Sequence, residues 1–230
     1  MTDRPTVSLF SALSVRTALD DVLLPAFTEH SGADVETSYD PTTVLVQRIT
    51  DGARPELVIA ITEAFPALAE LGAIDPATRT ALARSGIGLA VPADADAPDL
   101  STVDALCTGL TSARSVAYSR TGASGIHFAA LIEQLGIAEQ VNARATVLPK
   151  GFTAEALLDG RADLAVQQLS ELAAVPGVRI AGPLPDEVQQ HSELSLALAP
   201  NAGSTAAALA LFLTRPRATA AFAAAGLLPV

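Results

Sequence analysis

The sequence predicts an α/β protein built on mostly parallel sheets, and two observations carry that prediction. Short β-branched or apolar runs alternate along the chain with segments of helical periodicity, the pattern of parallel strands joined by crossover helices. The 230 residues are 50% hydrophobic and only 17% charged, which is enough to bury a large core in one big domain or two modest lobes.

Strands are expected at residues 6–10, 34–39, 57–61, 86–91, 115–118, 145–148, 164–167, 178–180 and 193–198. Helical periodicity covers 15–31 and 42–51, with Gly32 and Gly52 as stops. Further helices are expected at 64–71, 125–135, 154–158 and 206–213, the last as a docked C-terminal helix. The polar, proline-bounded PADADAP, residues 92–98, is where a first lobe would hand over to a second. Cys107, inside DALCTGL, sits at a helical apolar position and reads as core.

Composition excludes several functions. A formal charge of −11 with a single lysine, Lys150, gives no basic surface for a phosphate backbone, so no nucleic-acid partner is expected. One cysteine rules out an internal disulfide, and three scattered histidines have no metal-ligand spacing; neither a metal nor a cofactor is expected. No apolar run reaches membrane-spanning length, so no membrane insertion is expected. MTDRPTVSLFSALSV has no basic segment, apolar run and small-residue cleavage site in succession, which reads as a chain that stays cytoplasmic as written, and periplasmic or extracellular if the native chain is longer. No nucleophile elbow, Walker loop or dinucleotide fingerprint is present.

Three strand-to-helix junctions share one chemistry: SALS at 11–14, DPTT at 40–43, and SRTGASG at 119–125. Each places small hydroxyl residues where a strand ends and a helix begins, the position at which open α/β sheets bind ligands and helix amides lack partners. The ordinary alternative is capping, since Ser, Thr and Asp are preferred there in any helix.

The succession FSALSVRTALDDVLLPAF, YDPTTVLVQRITDG, RPELVIA, GAID, LARSGIGLAVP, AYSRTGASGIHFAALIEQLGI and GRADLAVQQLSEL resembles the bacterial extracellular solute-binding proteins of the molybdate-binding type, over nearly the whole chain. The resemblance implies a two-lobed, periplasmic-binding-protein-like (type II) fold, with residues 1–92 plus 196–230 as one lobe and 93–195 as the other, and a small anion in the interlobe cleft. By position it implies ligand contacts from Ser11 and Ser14, Thr42 and Thr43, Ser124 and Gly125, the amides of Gly151 and Phe152, and the side chains of Gln167 and Gln168. Molybdate binders usually carry a tyrosine near the VQQ position and a serine-rich second junction. Gln167 and Asp40-Pro41-Thr42-Thr43 stand here instead, and amides that both donate and accept suit a di- or tricarboxylate better than a bare tetrahedral dianion.

The fold is also similar to that of aconitate isomerase, which implies carbon-acid chemistry: a general base beside a carboxylate and N–H dipoles for the enolate. On this reading His127 is the leading base, and Arg120 and Lys150 are carboxylate clamps or proton carriers. Against it, a single histidine on a partly apolar helix is commonly a packed residue, and Lys150 a solvated one. Asp40 is a second base or a turn former, and His30 complements the end of the first helix. Isomerisation of a small carboxylate is therefore the leading expectation. The alternative is a non-catalytic binding component for molybdate, another oxyanion or an organic acid, whose permease partner requires export, or an intracellular sensor.

Overall fold

The computed structural model describes residues 4–230. The chain forms two compact units, one running to Arg84 and resuming at Ser192–Val230, the other comprising Ser85–His191.

In the first unit, β1 (Thr6–Ser11) lies between β2 (Asp34–Tyr39) and β3 (Leu57–Ile61), parallel to both, and β9 (His191–Leu198) adds antiparallel to β3. The pleat sorts the side chains. Val7, Leu9, Leu57, Ile59, Leu194 and Leu196 share a core with the helical segment after β1 and with α10 (Ser204–Leu213) and α11 (Pro216–Ala224). Phe10, Val58, Ala60 and Ala197 pack on the other side with α3 (Thr42–Thr50) and α4 (Phe65–Glu70). The helices that follow β1 and β2 therefore cover opposite faces, which makes the C-terminal end of β1 a topological switch point.

The second unit repeats this plan. β5 (Val116–Ser119) lies between β6 (Thr146–Leu148) and β7 (Leu164–Gln168), parallel to both. β4 (Thr80–Pro92) adds antiparallel to β7, and β8 (Val178–Pro183) pairs antiparallel with β4. The larger side chains Ile87, Leu89, Tyr118 and Val166 face α5 (Val103–Ser112), α6 (Ala123–Gln134) and α7 (Ala138–Asn142). Ala90, Ala117 and Ala165 face α8 (Glu155–Leu158) and α9 (Leu169–Ala173), and these small side chains let short helices sit close to the sheet.

All nine expected strands are present, with ends within a few residues except β4, which starts at Thr80 instead of residue 86. Its first half buries Leu82 and Ala83 in the first unit's core, and the exposed Arg84 interrupts the apolar run that would mark it. The expected 15–31 helix is not one α-helix. α1 (Arg16–Ala18) passes through a π-helical turn, Leu19–Leu23, into α2 (Leu24–Ser31). Pro25 lacks the N–H that would bond Asp21 and its ring crowds the preceding turn, so the ladder widens just before it. Gly32 ends α2 at φ 71° as expected, its N–H donating to the Thr28 carbonyl at 2.9 Å.

Helices α5, α7, α9 and α11 were not among those expected. α7 and α9 have five residues each, too short for periodicity to show. α10 is therefore not the final helix; α11 follows it, opening on Pro216, which needs no N–H partner in a first turn. Cys107 is not core. α5 turns Leu106 and Leu110 inward and leaves Cys107 half-buried at its flank. No helix among the described residues is long and apolar enough to cross a membrane.

Candidate functional site

In the first unit the candidate residues gather at the C-terminal ends of the parallel strands. Ser11 is level in register with Tyr39 and Ile59, and its carbonyl accepts the Asp40 N–H at 3.2 Å while the Ala12 N–H donates to Ile59 at 2.8 Å. The Ser11 hydroxyl is fully buried and donates to the Ala12 carbonyl at 3.1 Å. A short 3-10 turn, Leu13–Val15, then starts the helical segment with the buried Ser14 in it, and no side chain caps it. α3 also starts without a side-chain cap, at Pro41. Thr42 uses its hydroxyl to accept the Ile61 N–H at 3.2 Å, tying the start of α3 to the end of β3, and Thr43 is exposed.

Asp40, at the start of the same junction, forms an ion pair. Its buried carboxylate accepts from Arg48 Nη1 at 2.9 Å, and the Arg48 guanidinium lies 4.1 Å from the Phe10 ring centroid. Beside it, Tyr39 donates to Asp20 at 2.5 Å, with Arg16 5.3 Å from the ring centroid. Burial, reinforced by the hydrogen bond to Asp20, pushes the Tyr39 phenol well above its ordinary range.

The second unit builds its junction more tightly. The Ser119 and Thr121 hydroxyls are 3.0 Å apart, the Thr121 N–H donates to Ser119 Oγ at 3.2 Å, and Thr121 Oγ1 donates to the Pro149 carbonyl at 2.7 Å. This turn delivers the chain into α6 at Gly122 with no side-chain cap. Ser124 and Gly125 are buried in its first turn, and a Cβ on Gly125 would fall 1.5 Å from the Ser119 carbonyl oxygen. Glycine is required there by contact with backbone.

The loop after β6 is organised by Gln167. Its Oε1 accepts the Thr153 N–H at 2.7 Å and the Thr153 hydroxyl at 3.0 Å, and its Nε2 donates to the Gly151 carbonyl at 2.9 Å. Gly151 has φ 88°, which favours glycine. Gln167, expected to meet a ligand, thus holds the 151–153 backbone in place, with Phe152 half-buried in that loop. Gln168 is buried at the last position of β7, level with Ile87.

The three residues named for chemistry have separate settings. His127 Nε2 lies 3.0 Å from the Val188 carbonyl, so this nitrogen carries the hydrogen and Nδ1 is the ring's acceptor in the neutral form. Arg120 donates from Nε and Nη2 to the Tyr118 hydroxyl, at 3.3 and 3.1 Å, and that hydroxyl donates to Asn142 at 2.6 Å. Lys150 is exposed. Among the described residues no group of three or more His, Cys, Asp or Glu side chains could hold a metal ion. The sequence places Ser119 and Thr121 in the 119–125 junction without giving either a role, and does not mark Thr153; the hydroxyls of all three shape the second unit's loops. The Ser-x-Thr spacing directly after a strand was the available signal.

Comparison with known proteins gives a consistent picture. A family model described as bacterial extracellular solute-binding protein matches residues 7–228. An aconitate isomerase from Pseudomonas sp is 30% identical over 214 residues, covering 90% of this chain and 81% of that protein. The periplasmic molybdate-binding protein of Azotobacter vinelandii superposes with a TM-score of 0.79 at 19% identity, covering 97% of this chain and 99% of the other. The sulfate-binding protein of Mycobacterium tuberculosis gives 0.75 at 20% identity, over 99% and 88%.

Proposed function

Because this chain belongs to the bacterial extracellular solute-binding protein family, we propose that it is a binding protein for a small organic acid, held without a metal by hydroxyls and backbone amides. One observation carries this reading. In both units, helices start without a side-chain cap beside buried serines at the end of the strand where the topology switches. First-turn amides in that setting are oriented donors for an anion. Ser11, Ser14, Thr42 and Thr43 would serve from the first unit, and Ser124, Gly125 and the Gly151 and Phe152 amides from the second. Gln167 would act through the loop it holds. Gln168, buried beside it, would line the same strand end. An exported chain would pass its ligand to a permease, in keeping with the extracellular setting of the family.

Isomerisation, the leading expectation from sequence, takes second place here and rests on the 30% identity to an aconitate isomerase. In that reading His127 Nδ1 would take a proton from the carbon next to a carboxylate, amides and Arg120 would stabilise the resulting enolate, and the proton would return after rotation about the weakened double bond. The fixed Nε2–H of His127 leaves the correct atom for a base but is equally a tie to Val188.

Calorimetric titration with cis- and trans-aconitate, citrate, molybdate and sulfate tests the first reading. Saturable heat with a carboxylate and none with molybdate or sulfate is expected, and molybdate as the tightest ligand would overturn the choice of an organic acid. A proton NMR time course with cis-aconitate in deuterated buffer tests the second. Formation of the trans isomer with deuterium incorporated, abolished in His127→Gln while binding persists, would replace the binding reading with the enzyme.

A further inference from the structure

Away from these junctions the first unit has a cavity of about 390 Å³ lined by Ala26, His30, Phe212, Arg215, Pro216 and Arg217. Three of its six lining residues are basic, in a chain with a formal charge of −11. Of the other arginines, Arg4, Arg16, Arg48 and Arg161 each pair with an aspartate, and Arg54, Arg84, Arg114 and Arg144 donate to backbone carbonyls. Among the described residues, no ion pair or side-chain hydrogen bond engages Arg215, Arg217 or His30. The two guanidinium groups repel one another, a cost that solvent lowers but does not remove, and an anion between them relieves it.

The backbone adds a donor. Pro216 has no N–H, and the Ala218 and Thr219 amides both donate to the Arg215 carbonyl, at 2.8 and 3.2 Å, so the Arg217 amide is the one the first turn of α11 can offer. The apolar wall is fixed, since Phe212 meets Phe27 edge-on with ring centroids 5.6 Å apart. Two guanidinium forks suit the oxygens of a phosphate, and a flat apolar wall suits a small body attached to it.

We propose that this cavity is a second ligand site, for a phosphate dianion, free or as a small ester. It is independent of the organic-acid reading, because every residue involved lies apart from the strand-end junctions. The test is a ¹H–¹⁵N correlation titration of the whole chain with inorganic phosphate and, separately, phenyl phosphate, at constant ionic strength with chloride as control. Saturable shifts at the Arg217, Ala218 and Thr219 amides are expected. They should weaken by about ten-fold or more in Arg215→Gln/Arg217→Gln, the loss of at least one charge-assisted hydrogen bond. Both arginines are exposed, and the spectrum itself reports whether the variant is folded. Tighter binding of phenyl phosphate than of phosphate would identify an ester; the reverse would identify the free ion. Shifts that do not saturate, that match the chloride control, that persist in the double variant, or that occur only at residues 123–125 would overturn the proposal.

Discussion

Gly125 sits against the carbonyl of Ser119 so closely that a methyl group on it would fall 1.5 Å from the oxygen. α6 can begin at the end of β5 only because this position has no side chain. Gly125→Ala should therefore lower unfolding stability by about 2 kcal/mol or more, since the obstacle is backbone and cannot rotate away. It should also abolish anion binding, by moving the first turn. Gly122 is the matched control: it has φ −85° and nothing within 4 Å of a built Cβ, so Gly122→Ala should be nearly neutral in denaturant titration. Equal effects of the two variants would refute this account of the junction.

Gln167 offers a separate test of how the neighbouring loop is held. Gln167→Ala removes the acceptor of the buried Thr153 N–H and the donor to Gly151. A buried amide left without its partner costs about 1–3 kcal/mol. The expected outcome is a loss of that size in denaturant titration, with faster hydrogen exchange confined to residues near 150–154 and weaker ligand binding. Undiminished affinity would show that this loop has no part in the site.

The architecture was legible in the sequence because its signals are local. Runs such as LVIAI at 57–61 are short, apolar and bounded, and each gives a strand whatever surrounds it. The turn at 119–125 was legible as a strand-to-helix turn because Ser, Thr and Gly follow directly on an apolar run, and β5 does end and α6 begin there. The partners of the polar side chains were not legible. Nothing in the order of residues says that Gln167 reaches the carbonyl of Gly151, 16 positions away, or that Arg120 turns back onto Tyr118, two residues before it, since both contacts are set by how the side chains pack in the folded unit. The π turn before Pro25 was hidden for another reason. A one-residue widening of a helix hardly disturbs its apolar periodicity.

Asp40 and Arg48 predict an asymmetry between single and double variants. Asp40 is buried, while the Arg48 side chain keeps 39% of its exposure. Arg48→Leu removes the counter-ion of a buried carboxylate, and solvent at the arginine side moderates the loss to about 1–2 kcal/mol, below that for a wholly buried pair. Asp40→Asn in the Arg48→Leu background should restore most of it, as the isosteric amide carries no charge. A double variant as unstable as the sum of the singles would mean that the two residues do not act as a pair.

Tyr39 makes the protein's stability sensitive to alkali. Burial first, and then the hydrogen bond to Asp20, favour the protonated phenol in the folded chain. Below the ordinary tyrosine value of about 10, folded and unfolded chains both hold the proton, and the contribution is whole. As pH rises through that value the unfolded chain releases its proton while the folded one retains it, so the unfolded state gains and stability falls. The denaturation midpoint should therefore drop more steeply between about pH 9 and 11 in the natural chain than in Tyr39→Phe. Tyrosinate absorbance from this residue should appear together with unfolding. Parallel slopes for the two proteins would show that the folded state holds Tyr39 no more tightly in its protonated form than the unfolded chain does.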